Sequence, residues 1–325
     1  MKKLTAILLA ILMLMPLIAS CGGNDETTTT EAPTTETPTT EAPTTETPTT
    51  EQPTTEAPTT ETPTTTPPVE LNPSSEGLAF EINSDGKSYT MVGIGECKDT
   101  VILIPDEYNG LPVTSIGIQA FKNNELITHI YIPDSVTYID ANAFFSCSNL
   151  TTIVIPDTVT YIGECAFLGC KKLADIKLPA NLTSISNNLF TLSGIESITI
   201  PDSVTSIEQG AFSQAKKLKS IDIPNGITSI ERAAFSHCYE LTSVTIPSSV
   251  TSIDMHAFGG CEKLESIIVP SSVTNISKNA FYENENLTVY CEATSKPDGW
   301  DDEWMGDERK DIKVKEVVWG YKAEE

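Results

Sequence analysis

Hydrophobic and polar residues recur along this chain in a unit of 23 residues. In the unit at 241–261, Val244 and Ile246 alternate with polar residues, and this period of two predicts a short strand with one buried face. Pro247 follows and ends the strand, because proline has no amide hydrogen to donate to a strand ladder. Each unit is therefore predicted to begin with one short strand.

The rest of the unit predicts a return segment and a closing turn. Val250 and Ile253 are expected to point inward on the return segment. Ala257 and Phe258 then close the coil, since the small residue permits close approach while the ring fills the interior. One coil cannot shield its own apolar side, but stacked coils share a continuous core. The unit therefore predicts a solenoid.

The strand-ending proline and the closing phenylalanine both recur in step along the chain. The prolines are Pro133, Pro156, Pro179, Pro201, Pro224, Pro247 and Pro270. The phenylalanines are Phe121, Phe144, Phe167, Phe190, Phe212, Phe235, Phe258 and Phe281. Every step is 23 residues except one of 22, so that eight units occupy about 111–287. We expect the phenylalanine rings to align along one interior line.

One unit departs from the pattern. Leu189 replaces the usual alanine, and Phe190 lies eleven residues before Pro201 instead of twelve. Two interpretations remain open at this stage: a deletion tolerated in a loop, or a functional kink in the solenoid.

The two ends of such a stack must be capped, because a bare coil exposes core and unpaired strand edges. Residues 69–110 are predicted to form an N-terminal cap, in which the Asn-Ser-Asp-Gly stretch at 83–86 indicates a β-hairpin. Residues 288–325 are predicted to form a C-terminal cap, with Trp300 and Trp304 among its apolar residues.

The repeated pattern L-x-x-I-x-I-P-x-x-V-T-x-I-x-x-x-A-F-x-x-C resembles the BspA-like class of bacterial leucine-rich repeats. The resemblance covers about 102–321. It implies a leucine-rich-repeat solenoid, mainly β, with a parallel sheet on one face and short turns or 3-10 segments on the convex side. It also implies a surface-exposed protein that serves adhesion or protein binding, and it does not imply an enzyme.

The N-terminus has the features of an export signal. Lys2 and Lys3 precede an apolar run at 4–18, which is too short to span a bilayer as a helix but suits a signal peptide. The small residues before Cys21 resemble a bacterial lipobox. We therefore expect residues 1–20 to be a lipoprotein signal peptide and Cys21 to carry the lipid anchor in the cell membrane. An ordinary signal peptide with an unrelated cysteine is the alternative.

Residues 21–68 are predicted to be a disordered stalk behind this anchor. From residue 24 the stretch is rich in Thr, Glu and Pro and has no large apolar side chain that could offset the entropy of ordering. It holds nine acids and no base, within a chain whose net charge is −25. The remaining chain keeps about twice as many acids as bases, so we expect no nucleic-acid partner.

The cysteines and histidines do not predict catalytic or cofactor chemistry. Cysteines follow the repeat phenylalanine by three residues and are expected to stack as small buried hydrophobic residues, mostly as free thiols, although neighbours could also pair. The sequence contains no Cys-x-x-Cys pair of the kind that binds zinc. The acidic stretch at 299–308 lacks the residue spacing of a calcium-binding loop. His237 beside Cys238 is a poor nucleophile pair, because adjacent residues point different ways. We predict no catalytic residue, no metal and no cofactor.

The outward positions of the predicted strands are the candidate binding surface. The candidate ligand-binding residues are Leu103, His129, Tyr131, Val154, Lys177 and Asp222. The first four would form an apolar and aromatic patch near the N-terminal end, where a partner could gain energy from burial. The alternative is that the N-terminal hairpin covers this patch.

These observations predict a lipid-anchored protein on the outside of a bacterial cell that binds proteins or adheres through its sheet face. Its expected partners are extracellular proteins or proteins of host or community surfaces. Two alternatives stay open: a structural spacer of the envelope without a specific ligand, and a solute-binding lipoprotein or enzyme, which would need a deep pocket.

Overall fold

The computed structural model describes residues 74–306 and 314–322. In these residues the 23-residue units wind into stacked coils around one apolar core, which confirms the predicted solenoid. The eight repeat phenylalanines form a single column, in which neighbouring ring centroids lie 5.3–5.7 Å apart and ring planes are within 16° of parallel. Each ring is 0–1% exposed. The predicted interior line of rings is confirmed.

The strands before the repeat prolines form the first of two ladders along the solenoid, named ladder A. Its strands are β3 (Val101–Leu103), β6 (His129–Tyr131), β8 (Thr152–Val154), β12 (Ser220–Asp222), β14 (Ser243–Thr245), β16 (Ser266–Val269), β18 (Thr288–Cys291) and β19 (Glu316–Trp319). They pair in parallel as β3–β6–β8, β12–β14 and β16–β18–β19. Middle residues such as Ile102 and Ile130 are buried, whereas their neighbours along the strand face outward.

The return segments form a second ladder, named ladder B, which the sequence did not predict. Its strands are β1 (Ala79–Ile82), β2 (Tyr89–Gly93), β5 (Leu111–Ile116), β7 (Tyr138–Ile139), β9 (Tyr161–Ile162), β10 (Ser184–Ile185), β11 (Ser206–Ile207), β13 (Ser229–Ile230), β15 (Ser252–Ile253) and β17 (Asn275–Ile276). β4 (Glu107–Tyr108) pairs with β5 in a short hairpin beside it. The return segments pair in parallel, so that parallel strands line two sides of most coils.

The turns around each phenylalanine hold the backbone in the left-handed region at two positions per coil. Two residues before the ring these positions are Gln119, Asn142, Cys165, Asn188, Gly210, Ala233, His256 and Asn279. Two residues after the ring they are Asn123, Ser146, Gly169, Leu192, Gln214, His237, Gly260 and Glu283. These tight turns take the place of the 3-10 segments that the resemblance allowed, and the described residues contain no helix. Accordingly, no helix long and apolar enough to cross a membrane occurs among them.

The shortened unit keeps the core but loses strand pairing on ladder A. Phe190 stacks on both neighbouring rings at 5.7 and 5.4 Å, so the aromatic column passes through this unit without a gap. The segments at 175–177 and 197–199, however, are not strands. At Gly194 the chain approaches the preceding coil so closely that an added Cβ would lie 2.2 Å from the Lys171 carbonyl oxygen. The unbroken column supports the interpretation of a tolerated deletion.

The N-terminal cap closes the two ladders by different contacts. The predicted hairpin is present as β1 and β2, and β2 pairs in parallel with β5, so the hairpin extends ladder B. The edge of ladder A is covered by Ser75, whose amide donates to the Leu103 carbonyl at 2.9 Å and whose hydroxyl accepts from the Leu103 amide at 3.1 Å. The strands β3 and β5 are therefore both paired on the side that faces the N-terminal cap.

The C-terminal cap ends the core with tryptophans. Trp304 packs edge-on against Phe281 with ring centroids 5.7 Å apart and is 1% exposed. Trp300 is buried beside it, and its indole donates to the Val273 carbonyl at 3.1 Å. Val317 and Trp319 on β19 cover the core from ladder A. An apolar lid of this kind is what the last coil needs.

We expect the substitution Gly194→Ala to destabilise the solenoid by about 1–3 kcal/mol, because the new methyl group would collide with the backbone of the preceding coil. Urea unfolding followed by circular dichroism measures the effect. Gly259→Ala is the matched control, since its added Cβ would meet nothing nearer than the Tyr282 carbonyl oxygen at 3.5 Å. Equal stability of the two variants would contradict the close approach.

Candidate interaction surface

Four of the predicted binding residues come together on three neighbouring strands. Leu103, Tyr131 and Val154 are successive partners across β3, β6 and β8 of ladder A. His129 lies on the same strand as Tyr131 and pairs with Val101 on one side. Tyr131 and Val154 are 37% and 47% exposed, and Val101 is 43% exposed. These five residues are named the ladder A patch.

The N-terminal hairpin does not cover the ladder A patch, because its strands pair on ladder B. Ser75 covers only the backbone edge of β3 and leaves the outward side chains open. In the described part of the chain, the patch therefore faces solvent. This result decides between the two arrangements that the sequence left open, whereas ligand binding by these residues stays a prediction.

Lys177 and Asp222 lie apart from the patch. Lys177 is on the next coil and forms an exposed ion pair with Asp157 at 3.5 Å. The hydrogen bond from the Ala180 amide, and to a lesser extent the charge of Lys177, lower the pKa of the Asp157 carboxyl. Asp222 is on β12, beyond the coils without ladder A strands. The structure thus groups four of the six candidates, places Lys177 at the border of the group and separates Asp222 from it.

Exposed apolar side chains concentrate at the same end of the solenoid. Of the ten large hydrophobic side chains that are exposed in the described residues, nine lie within 82–161, and the exception is Ile268. The middle coils present mainly serine and threonine outward on ladder A, for example Ser243 and Thr245. The coils share one core, so this asymmetry belongs to the surface and not to the fold.

Sequence reasoning missed an aromatic pair on ladder B. Tyr138 and Tyr161 stack with ring centroids 4.7 Å apart and planes 15° from parallel. Both remain about 40% exposed. Their signal was present in the sequence, because the equivalent residue is serine or asparagine in most other coils.

The stacked cysteines have a structural role that explains their recurrence. The thiols of Cys147, Cys170, Cys238 and Cys261 donate to the carbonyl of the preceding coil's phenylalanine at 3.0–3.2 Å. Asn284 makes the same contact through its side-chain amide at 2.7 Å. Six cysteines of the described residues are free and buried: Cys97, Cys147, Cys170, Cys238, Cys261 and Cys291. For these six, the prediction of buried free thiols is confirmed.

Burial also makes these thiols poor nucleophiles. It raises the pKa of Cys147 and of Cys261 to about 12, so that the reactive thiolate is scarce at neutral pH. His237 and Cys238 use different partners: the ring Nδ1 lies 2.7 Å from the Ser236 hydroxyl, and the thiol bonds to backbone. No group of three possible metal ligands occurs among the described residues.

The predicted lipid-attachment residue Cys21 and the predicted stalk at 21–68 lie outside the described residues. Their assignments stay predictions.

A model of the BspA type leucine-rich repeat region matches the chain in six copies over 100–216 and 183–292, which together make up more than half of the sequence. The chain belongs to the BspA-type leucine-rich repeat family. This membership confirms the resemblance read from the repeat, and it agrees with a protein-binding scaffold.

Two solved structures support the same fold. A leucine-rich repeat protein from Bacteroides ovatus is 26% identical with a TM-score of 0.61, covering 75% of this chain and 67% of that one. The leucine-rich repeat protein of T. pallidum is 26% identical with a TM-score of 0.54, covering 58% of this chain and 88% of that one. A search of curated proteins returned no significant match.

The buried His237 predicts that the folding stability of this chain falls at acidic pH. Burial, and then His256 and Lys216, lower the pKa of His237 from 6.5 to about 4. Between pH 6.5 and 4 this histidine is therefore protonated more in the unfolded state than in the folded state. The stabilisation that the neutral His237 gives the folded state above pH 6.5 is lost as the pH falls toward 4. The loss is on the order of 3 kcal/mol.

Urea unfolding at a series of pH values measures this dependence. We expect His237→Asn to flatten the fall between pH 6.5 and 4, because asparagine does not titrate and tolerates the left-handed backbone at this position. The comparison with the unmodified chain measures His237 together with its coupling to His256 and to Glu283, whose carboxylate lies 3.8 Å from the His237 Nε2. An unchanged slope in the variant would show that His237 is not the group responsible.

Proposed function

We propose that this chain is a lipid-anchored protein of the bacterial cell surface that binds proteins, or adheres to host or community surfaces, through the ladder A patch. Cys21 would carry the anchor, and the Thr-, Glu- and Pro-rich stretch would hold the repeat region away from the membrane. The observation that carries the proposal is the concentration of exposed apolar side chains on the N-terminal coils of a scaffold whose other coils are polar.

The chemistry of the patch suits a protein partner. Tyrosine and valine gain free energy when a partner removes them from water, and tyrosine is enriched at the energetic centres of interfaces. The patch is formed by outward residues of adjacent strands, so their positions are fixed by backbone pairing rather than by mobile loops. Such a preorganised surface limits the entropy that is lost on binding.

The charge of the chain narrows the class of partner. A net charge of −25 repels the phosphate backbone of nucleic acids and favours proteins with basic or neutral surfaces. Within the patch itself the residues are apolar, aromatic or histidine. The proposed contact is therefore apolar at its centre, with electrostatic attraction acting over the wider surface.

The test uses the full chain in a binding screen against extracellular matrix proteins and whole cells. We expect the double substitution Tyr131→Thr and Val154→Thr to weaken any binding at least about tenfold, because it removes two exposed apolar contacts. Threonine is already the outward residue at the equivalent positions Thr199 and Thr245, so the fold should tolerate it.

The matched control changes Thr199 and Thr245, at the equivalent outward positions of two later coils, to alanine. We expect this control to keep both binding and thermal stability. A screen that is negative for every matrix protein and cell type would favour the spacer without a specific ligand. Equal weakening by the control would remove the patch from the proposal.

Anchoring is tested separately by the substitution Cys21→Ser. Without a thiol the residue cannot be acylated, so we expect the protein to leave the membrane fraction of cells that express it. Cell fractionation followed by immunoblotting measures the distribution. Cys97→Ser is the control, since Cys97 lies in the folded region and should not affect anchoring. Retention of Cys21→Ser in the membrane fraction would rule out this anchor.

A further inference from the structure

The aromatic pair on ladder B has no explanation in the fold. In the column of equivalent outward residues, Tyr138 and Tyr161 stand among small polar side chains. The other members of the column are Thr90, Ser115, Ser184, Ser206, Ser229, Ser252 and Asn275. The coils with serine at this position stack with the same register as those with tyrosine. Tyrosine at these two coils is therefore not required for stacking.

The two rings leave accessible surface on both sides of their stack. They cover each other at 4.7 Å, and each remains about 40% exposed. The residue beside Tyr138 in the column is Ser115, and the residue beyond Tyr161 is Ser184. Both serines are too short to cover a ring face. A flat group can therefore approach either outer face or the exposed edges.

A half-buried carboxylate follows the first ring on the same coil. Asp140 lies two residues after Tyr138, and the equivalent residues on the coils before and after it are Gly117 and Gly163. One carboxylate oxygen accepts from the Ala141 amide at 2.7 Å. Residues two apart in an extended segment lie on the same face, so Asp140 is on the side of Tyr138. In agreement, burial, and next the charge of Asp140, raises the pKa of the Tyr138 hydroxyl.

We propose that Tyr138, Tyr161 and Asp140 form a binding site for an arginine or lysine side chain of a protein segment that lies along ladder B. Aromatic rings attract cations, and guanidinium groups also stack flat on them. The carboxylate adds a charge-assisted hydrogen bond to the same cation. The acidic chain attracts a basic segment from a distance. This site is separate from the ladder A patch and goes beyond the function proposed above.

Charge complementarity decides between this occupant and a neutral saccharide. A sugar ring could stack on tyrosine without any carboxylate beside it, whereas a cation uses both groups together. Asp140 lies two residues after Tyr138 and supplies the only carboxylate at its position in three successive coils, since the equivalent residues are Gly117 and Gly163. The structure therefore favours the basic segment, and the saccharide becomes an outcome of the test.

The experiment titrates the full chain with a terminally blocked Gly-Ser peptide that carries two arginines, and follows binding by calorimetry at low ionic strength. The same peptide with citrulline, a neutral isostere of arginine, is the ligand control. We expect affinity for the arginine peptide to fall about tenfold in the double variant Y138S/Y161S and about fivefold in D140N. Each replacement suits the fold, since serine is the repeat's own residue and asparagine can still accept from Ala141.

The double variant Y131T/V154T keeps all three groups and is expected to bind the arginine peptide normally. Failure of the unmodified chain to prefer arginine over citrulline would overturn the proposal. Loss of binding in Y131T/V154T instead would place the peptide on ladder A and also overturn it. Binding of a neutral hexasaccharide that needs both tyrosines but not Asp140 would replace the basic segment by a saccharide. None of these results bears on matrix or cell binding through the ladder A patch.

Discussion

The structure depends on one interaction, the burial of each coil's apolar side against the next coil. The phenylalanine column shows this directly, because each of its six inner rings stacks between two neighbouring rings and is fully buried. A ring in an isolated coil would face water on both sides, and one coil cannot offset its own conformational entropy. The tryptophans at the C-terminal end are a consequence of the same constraint, since the last ring also needs a neighbour. Stability is thus a property of the stack.

Close stacking imposes backbone requirements that ordinary helix or strand propensities do not describe. Each coil turns sharply on both sides of its phenylalanine and uses a left-handed residue at each turn, even where that residue is Ala233 or Leu192. Such residues carry a local cost of about 1–2 kcal/mol, which the packing of neighbouring coils offsets. Inside the core, the Cys238 thiol and the Asn284 amide donate to the carbonyls of Phe212 and Phe258 on the preceding coils. Recurring cysteine is therefore explained by hydrogen bonding as well as by size.

The sequence predicted the core and the first ladder because both depend on spacing along the chain. Phenylalanines at intervals of 23 residues must align if the coils stack. The alternation before the repeat prolines marks a strand in every unit except at 175–177 and 197–199, where the prediction was wrong. Ladder B was missed because strands such as β7 and β9 are only two residues long, too short to show a period of two. Whether the ladder A patch is open could not be predicted either, since it depends on which ladder the distant hairpin joins. The need for glycine at position 194 could not be predicted either, because it arises from close contact with a carbonyl on another coil.

Core packing constrains the inward residues of the repeat but not the outward ones. An outward residue that differs from the usual residue of the repeat is therefore informative about function. Serine at the outward positions of ladder B in the later coils shows what the fold alone accepts there. Tyr138 on ladder B and Tyr131 on ladder A are larger and more apolar than the fold needs at these positions, and both expose aromatic surface to water. This exposure is unfavourable unless a binding partner covers the surface. Both departures lie on the N-terminal coils, whereas the later coils are mainly polar on these columns, with the exposed Ile268 as an exception. In a solenoid built from near copies, the copies themselves thus serve as the reference that separates residues needed for folding from residues available for recognition.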